Sequence, residues 1–456
     1  MVTIGVRQIM RCRLSAFINY FILLIIFNCT SFNTFAFDLV EAYTRALNYN
    51  ADYLAAIAKN QAGQENQVQG RAALLPQANI GGSISENYLN ADSTSVYFHQ
   101  PMAIAQLQQV AFDFSKFSNY TKSKYSTILA NLQLDLARQQ LMVNVVQAYF
   151  DVLYANDTLE AIRITKKAYQ RQLQLANQAF SLGTVTIADV NDAKSSYDAA
   201  VAQEIQVEND LINKKNLLHN ITGLDANQIQ PLIKNINLVT PEPNNVNKWS
   251  QMAKVGNYDI KIALKQLAMA DQDVNIAVSG HLPTLNANAN YLYAGTAVID
   301  GGSNTEQLQQ TTTNPGSITS SYSYAQAGVQ ANVPIYSGGG VSSQVRQARA
   351  NYQAAMQQLV SIQRQTDQNI QNVFWQVQNG VSIVKAQTQA LLSAQIKLKS
   401  DRTGYSVGIR NSVDLVNSEK NLYQAIQNYN QSRYQYLNSR MQLKFLSGNI
   451  DTDFFV

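Results

Sequence analysis

The sequence predicts a mainly α-helical protein with a small β part, in which long coiled-coil helices occur in two tandem repeats. Three observations predict this fold: an internal repeat, apolar residues at seven-residue spacing, and segments in which apolar and amide side chains alternate. Hydrophobic residues make up 46% of the 456 residues and charged residues only 14%. Gln and Asn account for roughly one residue in five, well above average usage. The predicted surface is therefore polar but weakly charged.

The N-terminal residues 1–36 have the composition of a secretory signal peptide. Three arginines precede an apolar run over residues 14–27, and a small-residue cleavage motif ends at Ala36. An N-terminal membrane anchor is the alternative, but the run is shorter than the roughly 20 residues that a spanning helix needs. We expect the mature chain to begin near Phe37.

Removal of this leader changes the charge and the cysteine content. Three of the 34 basic residues lie in it, so 31 basic residues remain against 30 acidic ones, and the formal charge falls from +4 to +1. No basic footprint for nucleic acid remains. Cys12 and Cys29 both lie in the leader, which leaves neither a disulfide nor a thiol. Lipidation of Cys29 is an alternative, although the preceding residues 26–28 lack the small side chains that such processing prefers.

The rest of the chain contains an internal repeat. The segment 50–76 recurs without a gap as 257–283, and both copies end in Leu-Pro. Further pairs follow in the same order: Phe112 with Tyr336, Phe150 with Phe374, Gly183 with Gly408, Asp189 with Asp414, and Gly223 with Gly448. We therefore predict a first structural repeat over residues 37–223, a linker over 224–250, a second repeat over 251–448 and a C-terminal tail over 449–456.

Each copy predicts the same series of elements. A helix of moderate length is followed by two strands, a very long helix, a glycine turn and a second long helix. Pro76 and Pro283 end the first helix of each copy, because proline has no N–H and disfavours helical geometry in the residue before it.

The strands are clearest in the second copy. Apolar or aromatic residues alternate with Asn over 285–293, and with Gly, Gln and Asn over 325–335. The first copy has a weaker alternation over 80–88 and an ambiguous segment over 102–111. Such alternation is typical of membrane-barrel strands with lipid on one face and water on the other, although an ordinary solvent-exposed sheet has the same pattern. Residues 295–321 predict a long external loop.

The long helices show a seven-residue repeat. In the first copy the series is Leu141, Ala148, Ala155 and Ile162, and in the second it is Leu415, Leu422, Tyr429, Tyr436 and Leu443. This spacing predicts a coiled-coil seam. A helix from about Ser115 to Ser181 is on the order of 100 Å long at 1.5 Å per residue. We therefore expect an elongated tube or rod, with glutamines over 363–371 on a water-facing wall.

Four strands are too few to form a membrane barrel alone. Even the smallest membrane barrels use about eight strands. Open strand edges in lipid leave backbone groups without hydrogen bonds. If these strands enter a membrane, several subunits must share one barrel.

Residues for catalysis or metal binding are not grouped in this sequence. His99, His219 and His281 have no neighbouring acid or cysteine at ligand spacing. No phosphate loop, nucleophile elbow or dinucleotide fingerprint occurs. We expect neither a cofactor nor a metal, and no enzyme activity.

With this order of elements the sequence resembles the TolC family of outer-membrane efflux proteins over essentially the whole mature chain. Three short motifs carry the resemblance: residues 112–116 and 334–339, where strand becomes helix, and residues 405–415 at the second hairpin turn. The junction residues within the first two motifs are Phe112, Pro334, Tyr336, Gly338 and Gly339.

The resemblance implies a homotrimeric export duct. Four strands from each of three subunits would form one β-barrel in the outer membrane of a Gram-negative envelope, and the helices would form an α-barrel across the periplasm. A periplasmic adaptor and an inner-membrane transporter would dock at its inner end, for drug efflux or type I protein secretion. The competing interpretation is a structural or adhesive periplasmic coiled-coil rod, which explains the heptads but not the alternating segments.

The resemblance also implies a gate at the two helical turns, which contain Gly183 and Gly408. In the family an Arg and a Tyr at the second turn are linked to an Asp at the first, and the matching residues are Arg410, Tyr405 and Asp189. Asp414 would form an acidic ring. The family's second acidic ring falls on Asn417, which puts strong cation selectivity in doubt. A local alternative is that both acids serve capping boxes at helix starts.

Overall fold

The computed structural model describes residues 36–91, 94–231, 237–301 and 320–450. The predicted leader up to residue 35, with both cysteines, lies outside the described residues, as do residues 451–456 of the predicted tail.

Two sets of elements follow each other in the same order. The first set consists of α1 (Leu39–Tyr49), α2 (Ala51–Ala72), β1 (Gln77–Ala91), β2 (Thr94–Phe112), α3 (Phe114–Ser181) and α4 (Ile187–Thr222). The second set consists of α5 (Val246–Gly256), α6 (Tyr258–Ser279), β3 (Thr284–Gly301), β4 (Ser320–Asn332), α7 (Gly340–Ser406) and α8 (Ser412–Ser447). The predicted fold, mainly α with four strands and tandem repetition, is confirmed.

The first helix of each copy is two helices, which the sequence prediction missed. Asn50 ends α1 with its backbone N–H on the Ala46 carbonyl, and its side chain caps α2 by accepting from the Tyr53 N–H at 3.0 Å. Asn257 has the same role between α5 and α6. Asparagine, unlike glycine and proline, is not a strong helix breaker. In the sequence the break is therefore visible only as a residue that favours the N-cap position, with an acidic residue two positions later. The helix before each Leu-Pro ends at Ala72 or Ser279.

The four strands form one antiparallel sheet in the order β1-β2-β3-β4. Residues paired across the four strands form rows perpendicular to the strands, and several rows contain side chains of one kind. Side chains of successive rows point to opposite faces of the sheet. One row is apolar and consists of Ile80, Ala105, Tyr291 and Ala325. The next row carries only amides and consists of Asn79, Gln106, Asn290 and Gln326. The predicted alternation is therefore confirmed in these rows, with apolar side chains on one face and amides on the other. The following row on the amide face is apolar and consists of Gly81, Ile104, Leu292 and Tyr324.

The strand ends differ from the prediction. β3 continues to Gly301 and β4 begins at Ser320, so both ends of the predicted loop belong to strands, while residues 302–319 lie outside the described residues. β4 ends at Asn332, before Pro334, because proline has no N–H for the ladder. The ambiguous segment 102–111 lies in β2, where consecutive apolar residues on both faces hide the alternation.

The predicted seam is buried along the middle of the long helices. Leu141, Ala148, Ala155 and Ile162 are all buried in the contact between α3 and its neighbours. In α8 the predicted residues Leu415, Tyr436 and Leu443 are buried, and Leu422 and Tyr429 are partly buried. Along the predicted glutamine wall, Gln365, Gln368 and Gln371 are exposed. In the described part of the chain, no helix is both long and apolar enough to cross a membrane.

The two hairpins, α3–α4 and α7–α8, pack against each other through α3 and α8. At mid-length this contact includes the Tyr434 hydroxyl, which donates to the Asp157 carboxylate at 2.8 Å. Burial raises the pKa of Asp157. Gln172 and Ser412 meet near the turns, so the same interface continues to the tips.

Candidate functional site: the two hairpin tips

The two helical hairpins end in turns of the same geometry. Gly183 and Gly408 have φ of +72° and +77°, a conformation that residues with a Cβ rarely adopt. The N–H of the following residue bonds to a carbonyl five positions earlier, from Thr184 to Ala179 and from Ile409 to Gly404, both at 2.9 Å. These are the bonds of a Schellman motif. The structure therefore places both predicted glycines at the tips.

At the first tip, defined by residues 179–189, the acidic residue Asp189 takes part in the N-terminal cap of its own helix, α4. The Asp189 carboxylate accepts from the Thr186 hydroxyl at 2.8 Å and from the Thr186 N–H at 3.0 Å. The Thr186 hydroxyl accepts in turn from the Asp189 N–H. This confirms the capping box. The hydrogen bond from the Thr186 hydroxyl, followed by that from its N–H, lowers the pKa of Asp189.

At the second tip, defined by residues 401–419, the acids form ion pairs. Arg410 lies between two carboxylates, with Nε 3.5 Å from Asp401 Oδ1 and Nη1 3.7 Å from Asp414 Oδ2. Asn411 caps α8 by accepting from the Asp414 N–H at 2.7 Å. Tyr405 lies in the last turn of α7 and is half-buried.

The structure brings only part of the predicted gate together within one chain. Arg410 and Asp414 are close, but among the ion pairs of the described residues none joins Arg410 to Asp189. Asn417, at the position of the second acidic ring, is exposed on α8. The link between the two tips stays a prediction.

Two buried carboxylates at the second tip were missed by the sequence analysis. The Asp401 side chain is 5% exposed and accepts from Lys397 and Ser418, in addition to its contact with Arg410. The Glu419 side chain is 6% exposed and pairs with Arg402 at 3.2 Å. The only signal in the sequence is the four-residue spacing of Lys397 and Asp401, which is common on solvated helices.

The pKa values of the two buried carboxyl groups are shifted in opposite directions. The hydrogen bond from Lys397, followed by that from Ser418, lowers the pKa of Asp401. Burial raises the pKa of Glu419, and Arg402 offsets this only in part. One oxygen of Glu419 is buried without a hydrogen-bond partner. Asp401 is therefore a satisfied carboxylate, whereas Glu419 carries a desolvation cost.

The contact between the hairpins is polar near the tips. The Gln172 amide donates to the Ser412 carbonyl at 3.0 Å, while Gln172 Oε1 and Ser412 Oγ are buried without partners. Burial, with the Glu419 charge nearby, raises the pKa of Tyr169 to about 12. Buried polar atoms without partners weaken a contact. Near the tips the contact between the hairpins is therefore partly polar, with two buried oxygens that have no hydrogen-bond partner within the described residues.

The predicted strand-to-helix junctions differ between the copies. Phe112 ends β2, and Asp113 directly caps α3 by accepting from the Lys116 N–H at 3.2 Å. In the second copy an irregular segment containing Pro334 and an exposed Tyr336 separates β4 from α7. That segment ends at Gly338 and Gly339, whose φ values are +61° and +80°.

Metal-binding side chains are not clustered in the described ranges. No three His, Cys, Asp or Glu residues converge there in a way that would hold an ion.

These features define a class of protein. A sheet with apolar rows on one face and amide rows on the other, continuous with long helical hairpins that end in capped turns, is the architecture of an outer-membrane export channel subunit. A coiled-coil rod would not account for the paired sheet.

Comparison with known proteins agrees with this class. The profile of the family described as "Outer membrane efflux protein" matches residues 42–224 and 249–449. The chain is 31% identical to the outer membrane protein TolC of Salmonella enteritidis over 420 residues, covering 91% of this chain and 82% of TolC. It is 26% identical to the alkaline protease secretion protein AprF of Pseudomonas aeruginosa, covering 92% and 86% of the two chains.

Solved structures show the same fold. The Campylobacter jejuni CmeC outer membrane channel superposes with a TM-score of 0.76 at 17% identity, over 90% of this chain and 85% of CmeC. VceC of Vibrio cholerae superposes with a TM-score of 0.75 at 18% identity, over 90% and 96%. This chain belongs to the outer membrane efflux protein family, and it is an outer-membrane export channel protein.

Proposed function

We propose that three copies of this chain close one β-barrel in the outer membrane and one helical tunnel beneath it. The duct passes drugs or secreted proteins outward without changing them chemically. A periplasmic adaptor and an inner-membrane transporter supply the substrates at the hairpin tips.

The sheet is the observation that carries this proposal. Its outer strands, β1 and β4, each have one edge that pairs with no strand in the described residues. The apolar face includes Ile80, Ile84 and Tyr291, all of them more than half exposed in the single chain. Such a face is stable in lipid, but the open edges are not. Further copies that pair with β1 and β4 satisfy both requirements.

The experiment is purification in detergent followed by reconstitution. Native mass spectrometry should give three copies per particle, and planar lipid bilayers should show discrete conductance steps. The protein should also stay in the membrane fraction after washing with urea. A monomer that washes off the membrane and produces no conductance steps would favour the rod and refute the duct.

We further propose that the tips form the gate of this duct. Arg410 and Asp414 already meet within one chain, and Tyr405 lies in the last turn of α7, five residues before Arg410. In the trimer Asp189 of the first tip is the remaining partner of Arg410. The polar contact between the hairpins near the tips supports this role, because buried oxygens without partners cost stability and elements that move are drawn from the less stable parts of a fold.

Single-channel recording tests the gate. Asp189→Ala and Arg410→Ala should each raise the conductance, because each removes one side of a contact that holds the tips together. Asp210→Ala is a matched control for Asp189→Ala, since Asp210 is exposed on α4 far from the tip. Unchanged conductance in both tip variants would remove these residues from the gate.

A further inference from the structure

Arg410 is held to its own chain by a carboxylate that the proposed gate does not include. Its Nε lies 3.5 Å from Asp401 Oδ1. Its aliphatic stem crosses Gly404, where an added Cβ would come within 2.7 Å of Arg410 Cγ. The side chain therefore runs back along the end of α7, over a glycine whose lack of a Cβ leaves room for it.

Asp401 is itself fixed from two helices. Its second oxygen accepts from Lys397 of α7 at 2.5 Å and from the Ser418 hydroxyl of α8. Lys397 also donates to the Ser418 hydroxyl at 3.1 Å. The lowered pKa of Asp401 keeps the carboxylate charged. Asp401 thus joins both helices of the hairpin to the arginine of the turn.

The contact with Asp401 leaves part of the guanidinium available. Arginine has five N–H donors in a planar fork. The Nε side faces Asp401 and Nη1 faces Asp414, at 3.5 and 3.7 Å, while 53% of the side chain is exposed. No ion pair within the described residues involves Nη2 of Arg410. An arginine fixed in this way loses less freedom when it binds a further acceptor.

We propose that Asp401 is a positioning residue that holds Arg410 in one orientation at the second tip and presents its outer donors to an acceptor on a neighbouring tip. The orientation of Arg410 follows from the contacts of this chain alone. Only its use in gating rests on the proposed function.

Spin labels at the two tips test the orientation directly. Ile409 is 80% exposed beside Arg410, and Leu182 is 78% exposed at the first tip, so Ile409→Cys and Leu182→Cys give paired reporters. Asp401→Asn removes the charge but keeps the size and a hydrogen bond to Ser418. It should increase label mobility at 409 as much as Arg410→Ala does, and leave mobility at 182 unchanged.

Two controls separate positioning from general loosening of the hairpin. Asp198→Asn removes an exposed carboxylate of α4 that forms no ion pair within the described ranges, and it should change neither label. Adding Asp401→Asn to Arg410→Ala should cause no further change at 409, because the two residues act through one contact. Unchanged mobility at 409, or an equal increase at both tips, would overturn the proposal.

Single-channel conductance tests the positioning role of Asp401 and the proposed gate separately. Asp401→Asn should raise conductance to within a factor of about two of the Arg410→Ala value, with no added effect in the double variant. If Arg410→Ala raises conductance and Asp401→Asn does not, Asp401 does not position the arginine. If neither Arg410→Ala nor Asp189→Ala changes conductance, the gate proposal fails, and label mobility alone decides the role of Asp401.

Discussion

The two hairpin tips have the same backbone but different side-chain chemistry. Both turns contain a glycine with positive φ followed by the same backbone hydrogen bond. At the first tip the acid Asp189 is occupied by the cap of its own helix. At the second tip Asp401 and Glu419 are buried and paired with residues from both helices and the turn.

The difference shows that the two copies stabilise the same turn in different ways. The capping box at the first tip joins only residues at the start of α4, and α3 contacts α4 there through apolar side chains such as Ala176 and Val190. Ion pairs that join two helices and a turn make the hairpin move as one unit. We therefore expect the first tip to respond to local changes and the second tip to respond to changes anywhere in its network.

Among the variants that test the difference between the two tips, Arg402→Ala should cause the largest loss of local stability. It leaves the buried Glu419 carboxylate without its partner, but Arg402 is mostly exposed, so we expect a loss of about 1.5 kcal/mol of local stability. Hydrogen exchange should rise in both α7 and α8 near the second tip. Exchange that rises in α7 alone would contradict a hairpin that moves as one unit.

Thr186→Ala should have a smaller and more local effect. Loss of the N-cap costs about 1 kcal/mol of helix stability. Exchange should rise in the first turn of α4 and not in the end of α3. Thr186→Ser keeps the hydroxyl and should behave like the wild type. An increase in both helices would show that the first tip is coupled like the second.

Glu419→Gln should have the smallest effect, seen in the dependence of stability on pH. Because burial raises the pKa of Glu419 above its ordinary value of 4.5, the folded state binds this proton more tightly than the unfolded chain. The wild type therefore loses stability as the pH rises from 4.5 through the raised pKa. The Gln variant lacks this loss, so its advantage in thermal unfolding should grow from pH 4.5 to 7. If the melting temperatures of the wild type and the Gln variant changed with pH in parallel, Glu419 would not be a buried, desolvated carboxyl group.

The opposite dependence of stability on pH is expected for Asp401. Its pKa is lowered, so its contribution to stability is present above the ordinary value of 3.8 and is lost as the pH falls below it. Asp401→Asn should therefore be less stable than the wild type at neutral pH, and the difference should shrink in acid.

The sequence by itself determined the periodic parts of this protein. Seven-residue spacing predicted the buried seam of α3, alternation predicted both strands of the second copy, and Gly183 and Gly408 predicted the turns. These features depend on local geometry, which repeats along the chain and is therefore visible in the order of residues.

Only the tertiary structure decided which charges meet. Asp401 and Ser418 lie on different helices and are brought together by the turn, and Glu419 is buried because α3 covers α8. A four-residue pattern of Lys and Asp is the same on a solvated helix as in a buried pair. Burial of a charge depends on which helix packs over it, and no local pattern specifies that contact.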